Sequence, residues 1–99
     1  MIFVDIDGTL TNETEGYGEA VYAQRTPKQT VIDFVNRLYN KGETIIIWTA
    51  RYEQDRKVTI NWLRENGVKY HDLIFNKPKY KLFIDDLSMN PDIILKKED

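Results

Sequence analysis

Two aspartates near the start of the chain are the residues whose type and spacing best suit chemistry. A short apolar run leads into Asp5 and Asp7, and Gly8 and Thr9 follow them. Because strand side chains alternate between faces, Asp5 and Asp7 point the same way if the extended backbone continues to the turn. Two neighbouring carboxylates repel each other unless one changes its pKa or both bind a cation, for which Mg²⁺ is suited. The pair therefore predicts a metal-dependent phosphoryl-transfer site.

Further polar residues stand where later strands are predicted to end. Thr49 ends one apolar run, Lys77 and Lys79 follow another, and Asp85 and Asp86 follow a last one. Phosphoryl transfer needs a nucleophile, an acid/base group, and a hydroxyl and an ammonium that bind the phosphoryl oxygens. It also needs carboxylates for a metal that neutralises the developing charge. Ligands bind at the carboxyl ends of strands in open α/β sheets, so these residues are predicted to form one site.

The elements that position these residues follow the pattern of βαβ units, in which apolar runs alternate with amphipathic segments. This pattern predicts an α/β fold with a parallel sheet. Strands are predicted at residues 2–6, 44–49, 73–75 and 82–84, with a short edge strand at 92–95. Residues 8–25 lack a clean period, and we expect a turn and a small flap there, with a hairpin at Gly16 and Gly18.

Two helices are predicted between the strands. Thr26 suits the N-cap of the first helix, Pro27 its first position, and Gln29 completes a capping box. Gly42 provides its C-terminal stop. Apolar residues recur at helical spacing along its buried face: Val31, Ile32, Val35, Leu38 and Tyr39. The second helix is predicted over residues 53–66. The large aromatic residues expected in the core are Phe34, Trp48 and Trp62.

Length and composition favour one small domain over residues 1–99. Hydrophobic residues make up 41% and charged residues 30%, and the net charge of −2 gives no broad attraction to nucleic acid or membranes. The chain has no cysteine, which excludes disulfides and cysteine-based metal sites. No segment reaches the roughly 20 apolar residues of a membrane span. We therefore expect a cytoplasmic protein without membrane or nucleic-acid partners, whose small core leaves homo-oligomerisation open.

The ordered set of motifs resembles the haloacid dehalogenase (HAD) superfamily of phosphohydrolases. The run Asp5-Ile6-Asp7-Gly8-Thr9 is similar to its first motif, Thr49 to its second, Lys77 to its third, and the pair Asp85–Asp86 to its fourth. The similarity extends over nearly the whole chain. It implies a minimal Rossmann-like three-layer α/β sandwich with a parallel sheet and no cap domain. It also implies an Mg²⁺-dependent phosphatase that hydrolyses phosphomonoesters.

The resemblance implies a catalytic role for each of four residues. Asp5 would be the nucleophile that forms an aspartyl-phosphate, and Asp7 would be the general acid/base. Thr49 and Lys77 would hold the phosphoryl group. The connection from this lysine to the last acidic pair is shorter than a usual parallel crossover, so Lys79 is an alternative to Lys77.

Metal and substrate contacts follow from the same resemblance. The residues expected to bind Mg²⁺ are Asp5, Asp7 through its backbone carbonyl, and Asp85, with Asp86 binding directly or through water. Gly8 and Thr9, which belong to the first motif, are expected to contact the substrate. Arg51 lies two residues past the motif threonine and is expected either to reach the substrate or to pair with Glu53 or another acid.

A narrower similarity concerns small capless members of the superfamily that are found with capsular polysaccharide genes. It depends on Trp48-Thr49-Ala50-Arg51, Trp62-Leu63, Lys77-Pro78 with Tyr80, and Ile84-Asp85-Asp86. This similarity implies capsule biosynthesis and a sugar phosphate or another phosphorylated metabolite as the substrate. An open site without a cap also suits a phosphorylated macromolecule end.

Two functions of other classes remain as alternatives. A receiver-like signalling domain also uses aspartates, a hydroxyl residue and a lysine around Mg²⁺ and a phospho-aspartate. Receivers place the adjacent acidic pair first, whereas here the spaced pair comes first and Asp85–Asp86 last, which favours the enzyme. The other alternative is a catalytically silent family member that acts as a binding or regulatory module, which turnover would exclude.

Overall fold

A three-stranded parallel sheet forms the centre of residues 1–78, the part of the chain that a computed structural model describes. The strands are β1 (Ile2–Val4), β2 (Ile45–Trp48) and β3 (Asp72–Ile74), in the spatial order β1-β2-β3. Val4 pairs with Ile47 and Trp48 pairs with Ile74, so the carboxyl ends of the strands lie at one edge. The predicted α/β class with a parallel sheet is confirmed.

Helices form the crossovers between these strands. The helical elements are α1 (Glu19–Ala23), α2 (Gln29–Asn40), a 3₁₀ turn (Glu53–Asp55) and α3 (Arg56–Glu65). The chain order β1-α2-β2-α3-β3 is that of two consecutive βαβ units, as predicted. No helix within residues 1–78 is both long and apolar enough to cross a membrane. The strands predicted at 82–84 and 92–95 lie outside the described residues.

The core lies between the sheet and the crossover helices. Ile45 and Ile47 of β2 are fully buried, as expected of a central strand in a parallel sheet. Ile32 from α2 and Leu63 from α3 pack into the same cluster without exposed surface, and Trp62 is also buried there. Protein cores are packed to crystal-like density, so this layer fixes the positions from which the strand ends project.

The capping box predicted at the start of the first helix is wrong. Lys28 occupies the N-cap position of α2 and makes no side-chain cap. Thr26 instead binds Glu13 across the loop: its hydroxyl donates to Oε2 at 2.6 Å and its backbone N–H donates to Oε1 at 2.8 Å. Pro27 forms an isolated bridge with Thr11. These long-range contacts keep the chain extended through Pro27, so the helix begins only at Gln29.

The flap predicted over residues 8–25 contains a helix rather than a hairpin. The backbone first turns at Ile6, whose carbonyl oxygen accepts N–H groups from the next turn of chain. Gly16 and Gly18 both have positive φ, and the carbonyl of Gly18 accepts the N–H of Tyr22 at 2.9 Å. This bond begins α1, whose Tyr22 ring is buried. The glycines therefore lead into a short helix and do not join two strands.

Phe34 was expected in the core, and this prediction is wrong. It lies on α2 but is 53% exposed, whereas Ile32 and Val35 on the same helix are buried. Successive residues rotate around a helix axis, so Phe34 falls outside the narrow stripe that faces the sheet. The guanidinium of Arg37, 5.9 Å from the ring centre, covers part of the exposed ring.

Candidate active site

The residues predicted to do chemistry follow the three strands at the carboxyl edge of the sheet. Asp5 comes directly after β1, Thr49 directly after β2, and Lys77 shortly after β3. Backbone hydrogen bonds join the last two segments, because Thr49 N–H donates to Ile74 O and Lys77 N–H donates to Thr49 O, each at 2.9 Å. The edge where an α/β sheet binds ligands therefore brings these residues together.

Asp5 has one carboxylate oxygen bound to the backbone and the other near a cation. Its Oδ1 accepts the N–H of Ile6 at 2.8 Å, and its Oδ2 lies 3.9 Å from the Nζ of Lys77. Burial raises the pKa of Asp5 above its usual value, while the Ile6 hydrogen bond and the Lys77 charge lower it. Because 40% of the side chain is still exposed, this carboxylate is open to attack an incoming group.

Asp7 is held by two buried arginines. Arg51 binds it through two bonds, from Nη2 to Oδ1 at 2.7 Å and from Nε to Oδ2 at 3.0 Å. Arg25 adds a third bond, from Nε to Oδ1 at 3.1 Å. The arginine side chains are only 1% and 3% exposed, and that of Asp7 is 23% exposed. Charge-assisted bonds of this kind fix the carboxylate in one orientation.

Arg51 is itself positioned from two sides. Its Nη1 donates to Thr59 Oγ1 at 3.0 Å, and its guanidinium lies 3.8 Å from the centre of the Tyr22 ring. Burial raises the pKa of Tyr22, so its hydroxyl stays neutral beside Asp7. Of the alternatives left open for Arg51, the structure shows pairing with an acid, and the acid is Asp7 rather than Glu53.

Arg25 was not identified from the sequence. Besides binding Asp7, it donates from Nη1 to Glu15 O at 2.5 Å and from Nη2 to Gly16 O at 2.9 Å. Its own carbonyl accepts the indole N–H of Trp62 at 2.8 Å. The residue lies in the aperiodic segment before α2, where neither spacing nor a motif marks it, and its contacts depend on the tertiary fold.

The turn after the aspartates has a conformation that favours glycine. Gly8 has a φ of +84°, and a Cβ added there would lie 2.7 Å from the Cγ2 of Thr14. Its N–H donates to Thr11 Oγ1 at 3.1 Å, and its carbonyl accepts the Nζ of Lys28 at 3.2 Å. The N–H of Thr9 closes the turn. In the described chain, Gly8 and Thr9 shape the turn that carries Asp7.

A cavity of about 630 Å³ opens in front of the aspartates. Residues that line it include Asp5, Asp7, Gly16, Tyr17, Arg51 and Tyr52. Tyr17 is 85% exposed, whereas Tyr22 in the same wall is buried. Thr49 is nearly fully buried, and its Oγ1 accepts the N–H of Arg51 at 3.1 Å. The exposed ring of Tyr17 therefore lies at the solvent side of the cavity lining.

The residues of the described chain can be tested against the Mg²⁺ site that the resemblance implies. Mg²⁺ prefers oxygen ligands, and Asp5 brings a partly exposed carboxylate to the cavity. Arginines bind both oxygens of the Asp7 side chain, which agrees with the use of its backbone carbonyl as the metal ligand that the resemblance implies. Within residues 1–78, no three His, Cys, Asp or Glu side chains stand close enough to hold an ion. Asp85 and Asp86, expected to complete the ligand set, and Lys79 lie outside the described residues.

Comparison with protein families gives a match over residues 1–98 to the polynucleotide kinase PNKP phosphatase domain, a family of HAD type. The chain belongs to this HAD phosphatase family. Membership agrees with the resemblance that its motifs carry, and it sets the receiver-like alternative aside. No match was found among curated proteins. The narrower link to capsular polysaccharide genes stays a prediction.

Solved structures share the fold of this chain. A crystal structure of a structural-genomics target from Vibrio cholerae is 26% identical, with a TM-score of 0.70 over 99% of this chain and 98% of that one. A chain in the Pnkp1/Rnl/Hen1 RNA repair complex is 23% identical, with a TM-score of 0.67 over 98% of this chain. This chain spans 29% of that much longer protein. A second Pnkp1/Rnl/Hen1 structure, at 20% identity and a TM-score of 0.69, is matched over 97% of this chain and 32% of its own.

Proposed function

We propose that the protein is an Mg²⁺-dependent phosphomonoester hydrolase that works through an aspartyl-phosphate at Asp5. The observation that carries the proposal is that the two aspartates have different surroundings. Asp5 is partly exposed beside Lys77, whereas Asp7 is fixed by Arg25 and Arg51. A partly exposed carboxylate suits a nucleophile, and a carboxylate held in one orientation suits the group that protonates the leaving oxygen.

The first step transfers the phosphoryl group to the protein. A carboxylate oxygen of Asp5 forms a bond to phosphorus while the bond from phosphorus to the ester oxygen breaks. Asp7 gives its proton to that leaving oxygen. Lys77, 3.9 Å from Asp5, stabilises the charge that spreads over the phosphoryl oxygens, and Thr49 contributes to the same task.

The second step restores the nucleophile. Water loses a proton to Asp7 as its oxygen bonds to phosphorus, and the bond between phosphorus and Asp5 breaks. Asp5 returns as a carboxylate, and Asp7 is again protonated. Asp5, the backbone carbonyl of Asp7, Asp85 and Asp86 would hold Mg²⁺. When bound, this ion neutralises phosphoryl charge.

For the substrate, we propose a sugar phosphate or another small phosphorylated metabolite. The charge around the cavity supports this choice. Among the described residues that line it, the guanidinium of Arg51 is already occupied by Asp7, and Glu15 adds a negative charge. The chain as a whole carries a net charge of −2. A long polyanion gains little from such a surface.

A phosphorylated nucleic-acid end is the second candidate. It is favoured by the family match, since the matching model describes the phosphatase domain of a polynucleotide kinase. The open cavity is compatible with it, because only the terminal phosphate has to reach Asp5. A net charge of −2 opposes broad binding of a polyanion but not contact with one terminal nucleotide.

The test is phosphate release with Mg²⁺ and with EDTA. Substrates are p-nitrophenyl phosphate, sugar phosphates, nucleotides, and oligonucleotides with a 5′- or 3′-phosphate. We expect metal-dependent turnover that Asp5→Asn abolishes, which also controls for contaminating phosphatases. Preference for sugar phosphates supports the first substrate class, and preference for oligonucleotides supports the second. No turnover on any of them would contradict the proposal and favour a silent binding module.

A further inference from the structure

Arg25 joins the proposed acid/base to the wall of the cavity. Its guanidinium donates to Asp7 Oδ1, to Glu15 O and to Gly16 O, at 3.1, 2.5 and 2.9 Å. The residue is only 6% exposed, so these bonds replace water contacts that it has lost. Because Glu15 and Gly16 line the cavity, one buried cation connects the flap with Asp7.

The arginines also make the two oxygens of Asp7 different. A carboxylate has about four acceptor positions, two on each oxygen. Oδ1 accepts from both Arg25 and Arg51, whereas Oδ2 accepts only the Nε of Arg51 in the described chain. Among residues 1–78, the open position therefore belongs to Oδ2. Without Arg25, Oδ1 would have an open position too, and the carboxylate could rotate between arrangements.

We propose that Arg25 is a positioning residue: by binding Oδ1 of Asp7 together with the carbonyls of Glu15 and Gly16, it holds the Asp7 carboxylate in the orientation that presents Oδ2 to the substrate. The inference rests on the proposed role of Asp7 as acid/base. In the first step, the proton moves from Oδ2 to the leaving oxygen as the ester bond breaks and the bond from Asp5 to phosphorus forms. In the second step, water returns a proton to Oδ2. Arg25 touches no reacting atom and acts through Asp7.

Leaving-group dependence separates this role from a purely structural one. The p-nitrophenolate anion leaves readily without a proton, whereas an alkoxide needs a general acid, whose contribution is typically 10²- to 10⁴-fold. The readout is the ratio of kcat/KM for p-nitrophenyl phosphate to kcat/KM for a simple alkyl phosphate. Both values scale with the folded fraction of the enzyme, so a partly unfolded preparation does not change their ratio.

We expect Arg25→Gln to raise this ratio by about 10-fold or more, because a misaligned acid loses part of its contribution. Arg25→Lys keeps the charge and the apolar stem but cannot reach both Asp7 and the flap carbonyls, so it should raise the ratio as well. The lysine variant carries the test if the glutamine variant fails to fold. Arg64→Gln, on the exposed side of α3, is the matched control and should leave the ratio unchanged.

Asp7→Asn gives the reference for complete loss of the acid. If Asp7→Asn raises the ratio but both Arg25 variants leave it at the wild-type value, Arg25 is only structural and this proposal is overturned, while the proposed function stands. If Asp7→Asn itself leaves the ratio unchanged while Asp5→Asn is inactive, Asp7 is not the general acid, and the inference about Arg25 is overturned with it. The proposed role of Asp5 as the nucleophile is not affected by that result.

Discussion

Two ion pairs of equal length in this protein differ in burial, and we expect their contributions to stability to differ in the same way. Arg51 Nη2 to Asp7 Oδ1 and Arg56 Nη2 to Glu53 Oε1 are both 2.7 Å. The side chains of the first pair are 1% and 23% exposed, whereas those of the second are 47% and 57% exposed. Arg51→Gln and Arg56→Gln therefore form a matched comparison.

The expected magnitude follows from the bonds that each substitution removes. Hydrogen bonds to charged groups contribute roughly 1.5–3 kcal/mol each, and removing one partner of a buried pair costs roughly 3–5 kcal/mol. Arg25 still neutralises Asp7 in Arg51→Gln, so we expect the low end, about 3 kcal/mol. In a chain of this size that lowers Tm by roughly 12–24 °C. The exposed pair should contribute only about 0–1 kcal/mol.

Urea unfolding followed by tryptophan fluorescence measures both free energies of unfolding, since Trp62 is buried beside this network. The double variant Arg51→Gln/Asp7→Asn completes a cycle, and its loss should fall short of the sum of the single losses by more than about 1 kcal/mol. If Arg51→Gln lowers the free energy of unfolding no more than Arg56→Gln does, and the cycle is additive, the two bonds from Arg51 do not hold Asp7. The reasoning is then refuted.

Three further predictions concern the turn, the loop and the rim of the cavity. Gly8→Ala should lower the free energy of unfolding by roughly 1–2 kcal/mol and reduce turnover, because its φ is +84° and the new Cβ meets Thr14; an unchanged thermal melt would contradict this. Hydrogen bonds from Thr26 lower the pKa of Glu13, so Glu13 stabilises the fold above its unfolded-state pKa, and this contribution disappears as pH falls through the folded-state pKa. The difference in Tm between wild type and Glu13→Gln should therefore shrink from pH 7 to acid, and a constant difference would argue against it. Tyr17→Ala should raise KM but leave Tm unchanged, since this side chain is 85% exposed where it lines the cavity; unchanged KM on every substrate would mean that the ring does not contact the substrate.

The order of the elements and the edge that carries the site could be predicted because both depend on local patterns. Continuous apolar runs mark β1 and β2, and parallel strands bring their carboxyl ends to one edge. Asp5, Thr49 and Lys77 therefore meet as their positions in the sequence suggest. The family is also readable from the motifs, since they retain their order and their positions at the ends of predicted strands.

What the sequence could not predict depends on contacts between distant segments. Arg25 contacts Asp7 only because the flap folds back over the end of β1. No short-range sequence pattern predicts this contact, since the two residues are 18 positions apart. The predicted capping box is wrong for the same reason. Thr26 is a suitable N-cap residue, but its hydroxyl and its backbone N–H bind Glu13 across the loop instead. The sequence left open whether Arg51 reaches the substrate or pairs with an acid. Only the tertiary fold shows that its guanidinium pairs with Asp7.

The stereochemical course at phosphorus tests the central claim, an aspartyl-phosphate at Asp5, most directly. The measurement uses a phosphate ester made chiral at phosphorus by substitution with sulfur and oxygen isotopes, hydrolysed in isotopically labelled water. Attack by Asp5 followed by attack of water gives two in-line displacements, so the account predicts net retention of configuration. Net inversion would show that water attacks the substrate directly and would contradict the account.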